Sequence, residues 1–443
     1  MISSLQKKED GINLSDNEIS MIMSTNTIVS VVGYCLAAVV NDKVGRKYNF
    51  IIFSIPNTIN WIILYFADKM STFLISRILG GIALGALMML YVAATSEYSS
   101  PKTRGLFMHM ITTVAPAFGT GLGHILGIIL HWRTVALIGI IITSFGLIAP
   151  YFWVESPHWL ATQGRFDESQ KAFRKLNVMN PESENELRVL IKMENSKLDK
   201  AIETNSKSTF KRFLLALKRK YFWDLLLVTI VMFMYLTAAG KIIFSLLAIV
   251  LLKEITGSSD VLLFTLSVDS CMIIGSVLSC ILIRRTSMRF LLFSTGFTSN
   301  TVLFLLSLCL YLKNDTAYSQ WLNVSLLALY FTLLNAGPYP IFEALSGEIF
   351  PIDLKLYFLL VTYFIAICLL FLSIILLPYM TNLVGYHGYF LINAMIMTVC
   401  LVFLWWKLPE TKGKTLQEIE VYFKVKDFDV DKAFDNEQIK TLI

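Results

Sequence analysis

Residues 290–312 read FLLFSTGFTSNTVLFLLSLCLYL, Phe290 to Leu312, without a single charged side chain. Roughly 20 apolar residues suffice to cross a hydrocarbon core about 30 Å thick. Inside lipid the backbone N–H and C=O groups find no partner outside their own segment, so such a run has to be helical. Leu356–Leu377 is a second run of the same kind. Working outward from these two, the hydropathy pattern predicts eleven spans, near 22–40, 48–67, 72–94, 106–130, 134–153, 223–251, 261–283, 290–312, 321–346, 356–378 and 389–406.

Composition agrees. Hydrophobic residues make up 55% of the 443 and charged residues only 16%, against about 25% charged in soluble domains. The net charge of +6 would hint at nucleic acid in a soluble chain. Here the bases cluster in short loops on one side of the spans, which topology explains, so no nucleic-acid partner is expected. That side carries Lys43, Arg46, Lys47, Lys102, Arg104, Arg284, Arg285, Arg289 and Lys355, and it is expected to be cytoplasmic. The long polar loop Glu155–Lys220 lies there and divides five spans from six; its charges recur at helical spacing, so short solvated helices are expected in it. The resulting plan is an extracellular segment 1–21, a bundle 22–153, a cytoplasmic helical loop 154–220, a second bundle 221–406 and a cytoplasmic tail 407–443.

The chain repeats itself. Glu97-Tyr-Ser-Ser-Pro-Lys-Thr-Arg104 and Glu348-Ile-Phe-Pro-Ile-Asp-Leu-Lys355 each follow a span and each set a base seven places after an acid. Glu155-Ser-Pro is matched in the same way by Pro409-Glu410-Thr. Two homologous halves joined by a long loop suit transport by rocking one bundle against the other. The six cysteines all sit in apolar runs with no CxxC spacing, so they read as small hydrophobes. No His cluster has metal spacing, and there is no P-loop, HExxH or GxSxG. Neither an enzyme nor a metal centre nor a bound cofactor is therefore expected.

Taken in order, these motifs make the chain similar to the sugar porter family of the major facilitator superfamily. Within that family it looks most like the facilitated trehalose transporters. The resemblance rests on Asn41-Asp42-Lys43-Val44-Gly45-Arg46-Lys47, on Arg77, Gly81 and Gly85, on Glu97 through Gly105, and on Glu155-Ser-Pro-His-Trp-Leu160. In the second half it rests on Gly337-Pro-Tyr-Pro340, Glu348-Ile-Phe-Pro351 and Pro409-Glu-Thr-Lys-Gly413. It implies an all-α membrane bundle of the major facilitator type. It also implies a cytoplasmic gate of Asp42, Arg46, Glu97, Arg104 and Glu155 in the first half and of Glu348, Lys355 and Glu410 in the second. Gly81 and Gly85 form a GxxxG that lets two helices approach closely.

Three departures accompany the resemblance. Leu14–Ser20 resembles the approach to the family's second span, so the first span is expected to be missing, leaving eleven where the family has twelve. The family's paired Gln positions hold Leu236 and Thr237, and its fifth-span Gln falls near Ile111 or Thr112. Lys241, Asp269 and Glu343 lie inside second-half spans, where a charge is costly and marks an interior or a partner. An ion pair of Lys241 with Asp269 or Glu343 is expected, and Thr112, Thr237, Lys241, Asp269 and Glu343 are the candidate cavity residues. Asn314-Asp-Thr316 is a candidate glycosylation sequon in an outside loop. The function expected is facilitative transport of a small solute across the plasma membrane, a sugar such as trehalose or glucose by default. Proton-coupled symport through Asp269 and Glu343 is one alternative, and a non-transporting membrane sensor on the same scaffold is another. The partners expected are a small solute and the lipid bilayer; the sequence leaves the oligomeric state open.

Overall fold

The computed structural model describes residues 16–203, 209–244, 251–252, 262–312, 317–352, 354–425 and 427–429. The described residues form an all-helical bundle. The first half holds α1 (Asp16–Tyr65), α2 (Met70–Tyr98), α3 (Arg104–His109), a π-turn at Met110–Val114, α4 (Ala115–Ile129) and α5 (Trp132–Ile148). The loop holds α6 (Pro157–Thr162), α7 (Phe166–Leu176), α8 (Pro181–Glu203) and α9 (Thr209–Ala216). The second half holds α10 (Lys220–Ala238), α11 (Leu262–Arg285), α12 (Met288–Tyr311), α13 (Ala317–Ala336), α14 (Pro338–Glu348) and α15 (Lys355–Lys407), and α16 (Leu416–Val425) follows in the tail.

Eight of the helical stretches among the described residues are long and apolar enough to cross a membrane, Met288–Tyr311 among them. Two are longer than any single span. α1 is interrupted at Gly45 (φ 82°, ψ −175°) and α15 at Gly385 (φ 70°, ψ 174°). At Gly45 the chain folds back, since the Asn49 side chain donates to the Ala37 carbonyl at 3.0 Å. Twelve residues of straight helix would hold those groups about 18 Å apart. Only glycine suits this position: φ is positive, and a Cβ would stand 2.5 Å from a Glu155 carboxylate oxygen. α1 also begins at Asp16, upstream of the expected start at 22.

α1 packs chiefly on α2 and α5, α10 on α15, and α12 on α13 and α15. The α1–α2 contact is close because Gly33, Gly81 and Gly85 meet backbone of the opposite helix. Outward faces are apolar; on α5, Ile141, Ile142 and Phe145 are all exposed, as a lipid-facing surface requires. With an all-apolar belt of this kind the chain is an integral membrane protein.

The loop and tail are tied to each other by buried charges. Lys197 on α8 lies 2.9 Å from Glu194 and 2.9 Å from Glu420 on α16, and Lys424 lies 2.8 Å from Glu420. Burial alone would raise the Glu420 carboxyl, but the Lys197 and Lys424 ammoniums outweigh it and lower it from 4.5 to about 2. A carboxyl lowered on folding contributes stability that is complete above its ordinary value and lost as pH falls through the folded one. The clasp is therefore expected to hold at neutral pH and to weaken between pH 4.5 and about 2. Hydrogen exchange of α16 across that range measures it, and Glu420→Gln should expose α16 at pH 7. Unchanged protection in both experiments would mean that the clasp is not what holds the tail.

Candidate functional site: buried charges at the loop end and in the interior

The motif residues converge at the loop end of the bundle. The Arg46 guanidinium grips Glu97 with both arms, Nε at 2.8 Å and Nη2 at 2.6 Å, and Ser156 Oγ donates to the same carboxylate at 2.7 Å. Arg46 and Glu97 are both buried. The Glu155 carboxylate accepts from the backbone N–H of Arg46 (3.0 Å), Lys47 (3.3 Å) and Ser156 (2.8 Å). It thus caps the helical segment that starts after Gly45, where free N–H groups and the helix dipole favour a negative charge. Burial raises the Glu155 carboxyl, opposed by the Ser156, Lys47 and Arg46 N–H donors and the Arg46 charge.

The second half repeats this device. Glu410 accepts from the backbone N–H of Met288 (3.1 Å) and Arg289 (3.0 Å), at the start of α12. The sequence pairing of Glu155 with Glu410 thus corresponds to one shared job, capping a helix that begins at the loop end. Arg289, in the place of Lys47, donates to the Trp405 carbonyl as Lys47 does to that of Tyr151, but Met288 stands in the place of Arg46, so the Arg46–Glu97 fork has no counterpart at this position.

The expected grouping of the remaining charges, first half with first half and second with second, needs correction. Lys355, fully buried on α15, donates to Ser96 Oγ on α2 at 2.9 Å. Arg104, buried at the start of α3, donates through Nε to the Ser96 carbonyl at 3.1 Å and through Nη1 to the Lys414 carbonyl in the tail at 3.0 Å. Lys355 crosses between the halves and Arg104 ties the first half to the tail that follows the second, because each lies at the end of a helix that abuts the opposite bundle. Ser96 is the shared acceptor, and the sequence motif does not mark it. Arg104 Nη2 and Glu348 Oε2 are buried without a hydrogen-bond partner among the described residues, as are both His158 ring nitrogens, Trp159 Nε1 and the Gln417 amide, although Arg104 and Glu348 act on each other electrostatically. His158, buried beside Glu97, Lys355 and the two arginines, is pushed down to about 3 by burial and stays neutral. The Asp42 side chain and Asn314 lie outside the described residues.

In the interior, Lys241 donates to Asn335 Oδ1 at 2.6 Å and stands 3.7 Å over the Tyr339 ring. Glu343 acts on Lys241 electrostatically and accepts from the Tyr363 hydroxyl at 3.3 Å. Of the two expected acids, Glu343 is the one that acts on Lys241, and the hydrogen bond goes to an amide eight residues earlier, Asn335 on α13. Asn335 is held for this role, since its Nδ2 donates to the Phe331 carbonyl at 2.7 Å. Asp269, buried on α11, faces the same small cavity of about 40 Å³ as Lys241, with Thr120 of α4 on its first-half wall. Tyr363 stacks on Tyr34 of α1 with ring centroids 5.3 Å apart, so Glu343 is linked to both halves. Thr112 and Thr237 spend their hydroxyl protons on the Met108 and Phe233 carbonyls of their own helices. A much larger cavity, about 1000 Å³, is elsewhere, between the α7–α8 region and the tail at the loop end.

A double-mutant cycle distinguishes these interior contacts. Lys241→Met with Asn335→Leu should show coupling near the upper bound for polar contacts between membrane helices, about 1–2 kcal/mol. A larger coupling with Asp269→Asn than with Asn335→Leu would overturn the assignment.

Residues 2–423 match the family model for sugar (and other) transporters. The chain belongs to that family. It is 24% identical over 427 residues to "Sugar transporter ERD6-like 6" of Arabidopsis thaliana, covering 93% of this chain and 84% of that one. It is 26% identical over 420 residues to "Facilitated trehalose transporter Tret1" of Bombyx mori, covering 93% and 80%. Its fold is that of the solved proton:xylose symporter XylE bound to 6-bromo-6-deoxy-D-glucose, with a TM-score of 0.77, 19% identity, and coverage of 95% of this chain and 94% of that chain. As a member of the family the chain is a transporter on the major facilitator fold and not an enzyme. Within that frame, the contacts of Lys355 and Arg104 lie where the first half meets the second half and its tail, and Lys241, Asn335 and Glu343 lie deeper along the same junction.

Proposed function

We propose that this protein carries a small solute, by default a sugar such as trehalose or glucose, down its gradient across the plasma membrane by alternating access. The observation that supports this most directly is the pair of contacts that tie the first half at the loop end to the second half and its tail, Lys355 to Ser96 and Arg104 to the Lys414 carbonyl. Contacts of this kind can part as a set when one bundle rocks against the other, which makes the end a two-state element. The basic loops support a cytoplasmic loop end, so the gate drawn shut is the inner one. The relatives named for trehalose and other sugars support the substrate class.

Arg104→Ala is expected to lower turnover per molecule at the membrane about tenfold, because it removes one tie of the inner gate and none of the cavity groups; Arg104 is itself buried, so uptake is read per molecule at the surface. Uptake of radiolabelled trehalose or glucose into proteoliposomes, with surface quantity measured in parallel, tests this. Unaltered uptake by Arg104→Ala would place the gate elsewhere. Absence of uptake by the wild type of either sugar would remove the substrate assignment.

A second reading has its own observation. Glu343, joined to Tyr363 and acting on Lys241, is an acid set against a buried base between the halves. That arrangement supports proton-coupled symport, in which protonating the acid frees the base. Uptake that survives collapse of the proton gradient without loss of accumulation would remove this reading and leave facilitation.

A further inference from the structure

Residues 209–224, TFKRFLLALKRKYFWD, contain Lys211, Arg212, Lys218, Arg219 and Lys220 against one acid, Asp224. Within them α9 has two faces. Phe213 and Ala216 are buried, with the Phe213 ring stacked on Tyr357 at 5.4 Å and edge-on to Phe222 and Phe358. Leu214 and Leu215, on the other face, are 45% and 50% exposed. Just beyond, Trp223 is 59% exposed, although its indole N–H is already used, donating to the Leu217 carbonyl at 3.0 Å. What Trp223 presents outward is therefore its apolar ring, and that surface continues into exposed Leu227 on α10, a helix apolar enough to span the membrane. Lys218 and Lys220 are exposed beside it, and Lys424 lies over the Tyr221 ring at 5.6 Å.

We propose that this junction is a binding site for anionic phospholipid headgroups, with α9 lying in the membrane interface at the loop end. The occupant follows from the two surfaces together. An apolar face continuous with a spanning helix already in hydrocarbon is covered by lipid at the same depth, and long basic side chains around it reach up to the headgroups. Several bases against the single exposed acid of the patch, Asp224, leave it net positive, which selects anionic over zwitterionic headgroups, by about fivefold for each Lys or Arg of the excess. The same asymmetry of basic loops that marks the loop end as cytoplasmic puts this site against the leaflet in which anionic lipids are concentrated. The inference rests on the chain being an integral membrane protein; it does not depend on which solute is carried.

The test uses the full chain, purified in a neutral detergent and titrated with fluorescently labelled phosphatidylserine or phosphatidylcholine. The wild type is expected to bind phosphatidylserine at least about tenfold more tightly, with the preference shrinking at about 0.5 M salt, where the Debye length is only a few ångströms. The combined variant Lys211→Gln/Arg212→Gln/Lys218→Gln/Lys220→Gln should lose the preference. Lys211→Arg/Lys218→Arg/Lys220→Arg should keep it, and Leu214→Ser/Leu215→Ser should weaken both lipids alike. Equal binding of the two lipids by the wild type would overturn the proposal, whether or not any variant folds. A full preference retained by the Gln variant would place the lipid site elsewhere and overturn it as well.

Discussion

Arg46→Ala is expected to destabilise the folded protein by about 3–5 kcal/mol, the usual cost of leaving a buried charge without its partner. The partner is Glu97, whose carboxylate takes both arms of the Arg46 guanidinium at 2.6 and 2.8 Å. Neither side chain has access to water to make up the loss: relative exposures are 3% and 0%. Ser156 Oγ remains as a donor to Glu97, and Lys355 acts on it electrostatically, so the effect should fall toward the lower end of that range. Removing both charges, Arg46→Met with Glu97→Leu, should cost less than removing Arg46 alone, because no orphaned charge is then left inside. Thermal unfolding in detergent, with the monodisperse fraction on gel filtration as a second readout, measures all three proteins. A double variant no better than the Arg46 single would mean that the fork contributes geometry and little energy.

Gly85→Ala is expected to abolish most of the folded yield, although alanine is the better helix former. A Cβ at position 85 would overlap the Ser30 carbonyl oxygen, and one at Gly81 would stand 2.6 Å from the Asn26 carbonyl oxygen. In both cases the obstacle is main chain of α1, which no rotamer change can move. Added bulk in a packed core costs about 1–3 kcal/mol when side chains can shift. Here two helices must part along their contact, and the effect should exceed that range. Gly123→Ala on α4 is the control, since a Cβ there meets nothing within 4 Å. It should be neutral or slightly favourable, by up to about 1 kcal/mol. If both alanine variants give wild-type yields, the helices are not in backbone contact at Gly85.

The charged residues of the proposed gate were legible in the sequence as positions and not as a set of bonds. The spacing of Glu97, Arg104, Glu155, Glu348, Lys355 and Glu410 marked positions at the loop ends of helices, and all six stand there. Their partners could not be read in the same way. Lys355 finds Ser96, 259 residues away, and Arg104 finds the Lys414 carbonyl, 310 residues away. A backbone carbonyl has no sequence signature, and a lone serine has a weak one. Asn335 was missed for a related reason: one amide in an apolar helix reads as a tolerated polar residue until a base is seen pointing at it.

What the sequence determined by itself is the helical bundle, its two-fold internal repeat and a close helix approach at Gly81 and Gly85. Each follows from quantities additive along a segment: apolar length sets where a helix can cross lipid, the repeated motifs set the halves, and Gly81 and Gly85 one turn apart set a face without side chains. That the partner of this face is α1 came from the structure. Only the tertiary structure decided which charge meets which partner. Arg46 takes Glu97, Lys355 crosses between the halves, Arg104 ties the first half to the tail, and Lys241 turns to Asn335 with Glu343 acting from nearby. A hydrogen bond is directional and fails beyond about 3.5 Å. Its making depends on the rotation and docking of whole helices, which the local pattern of residues does not contain.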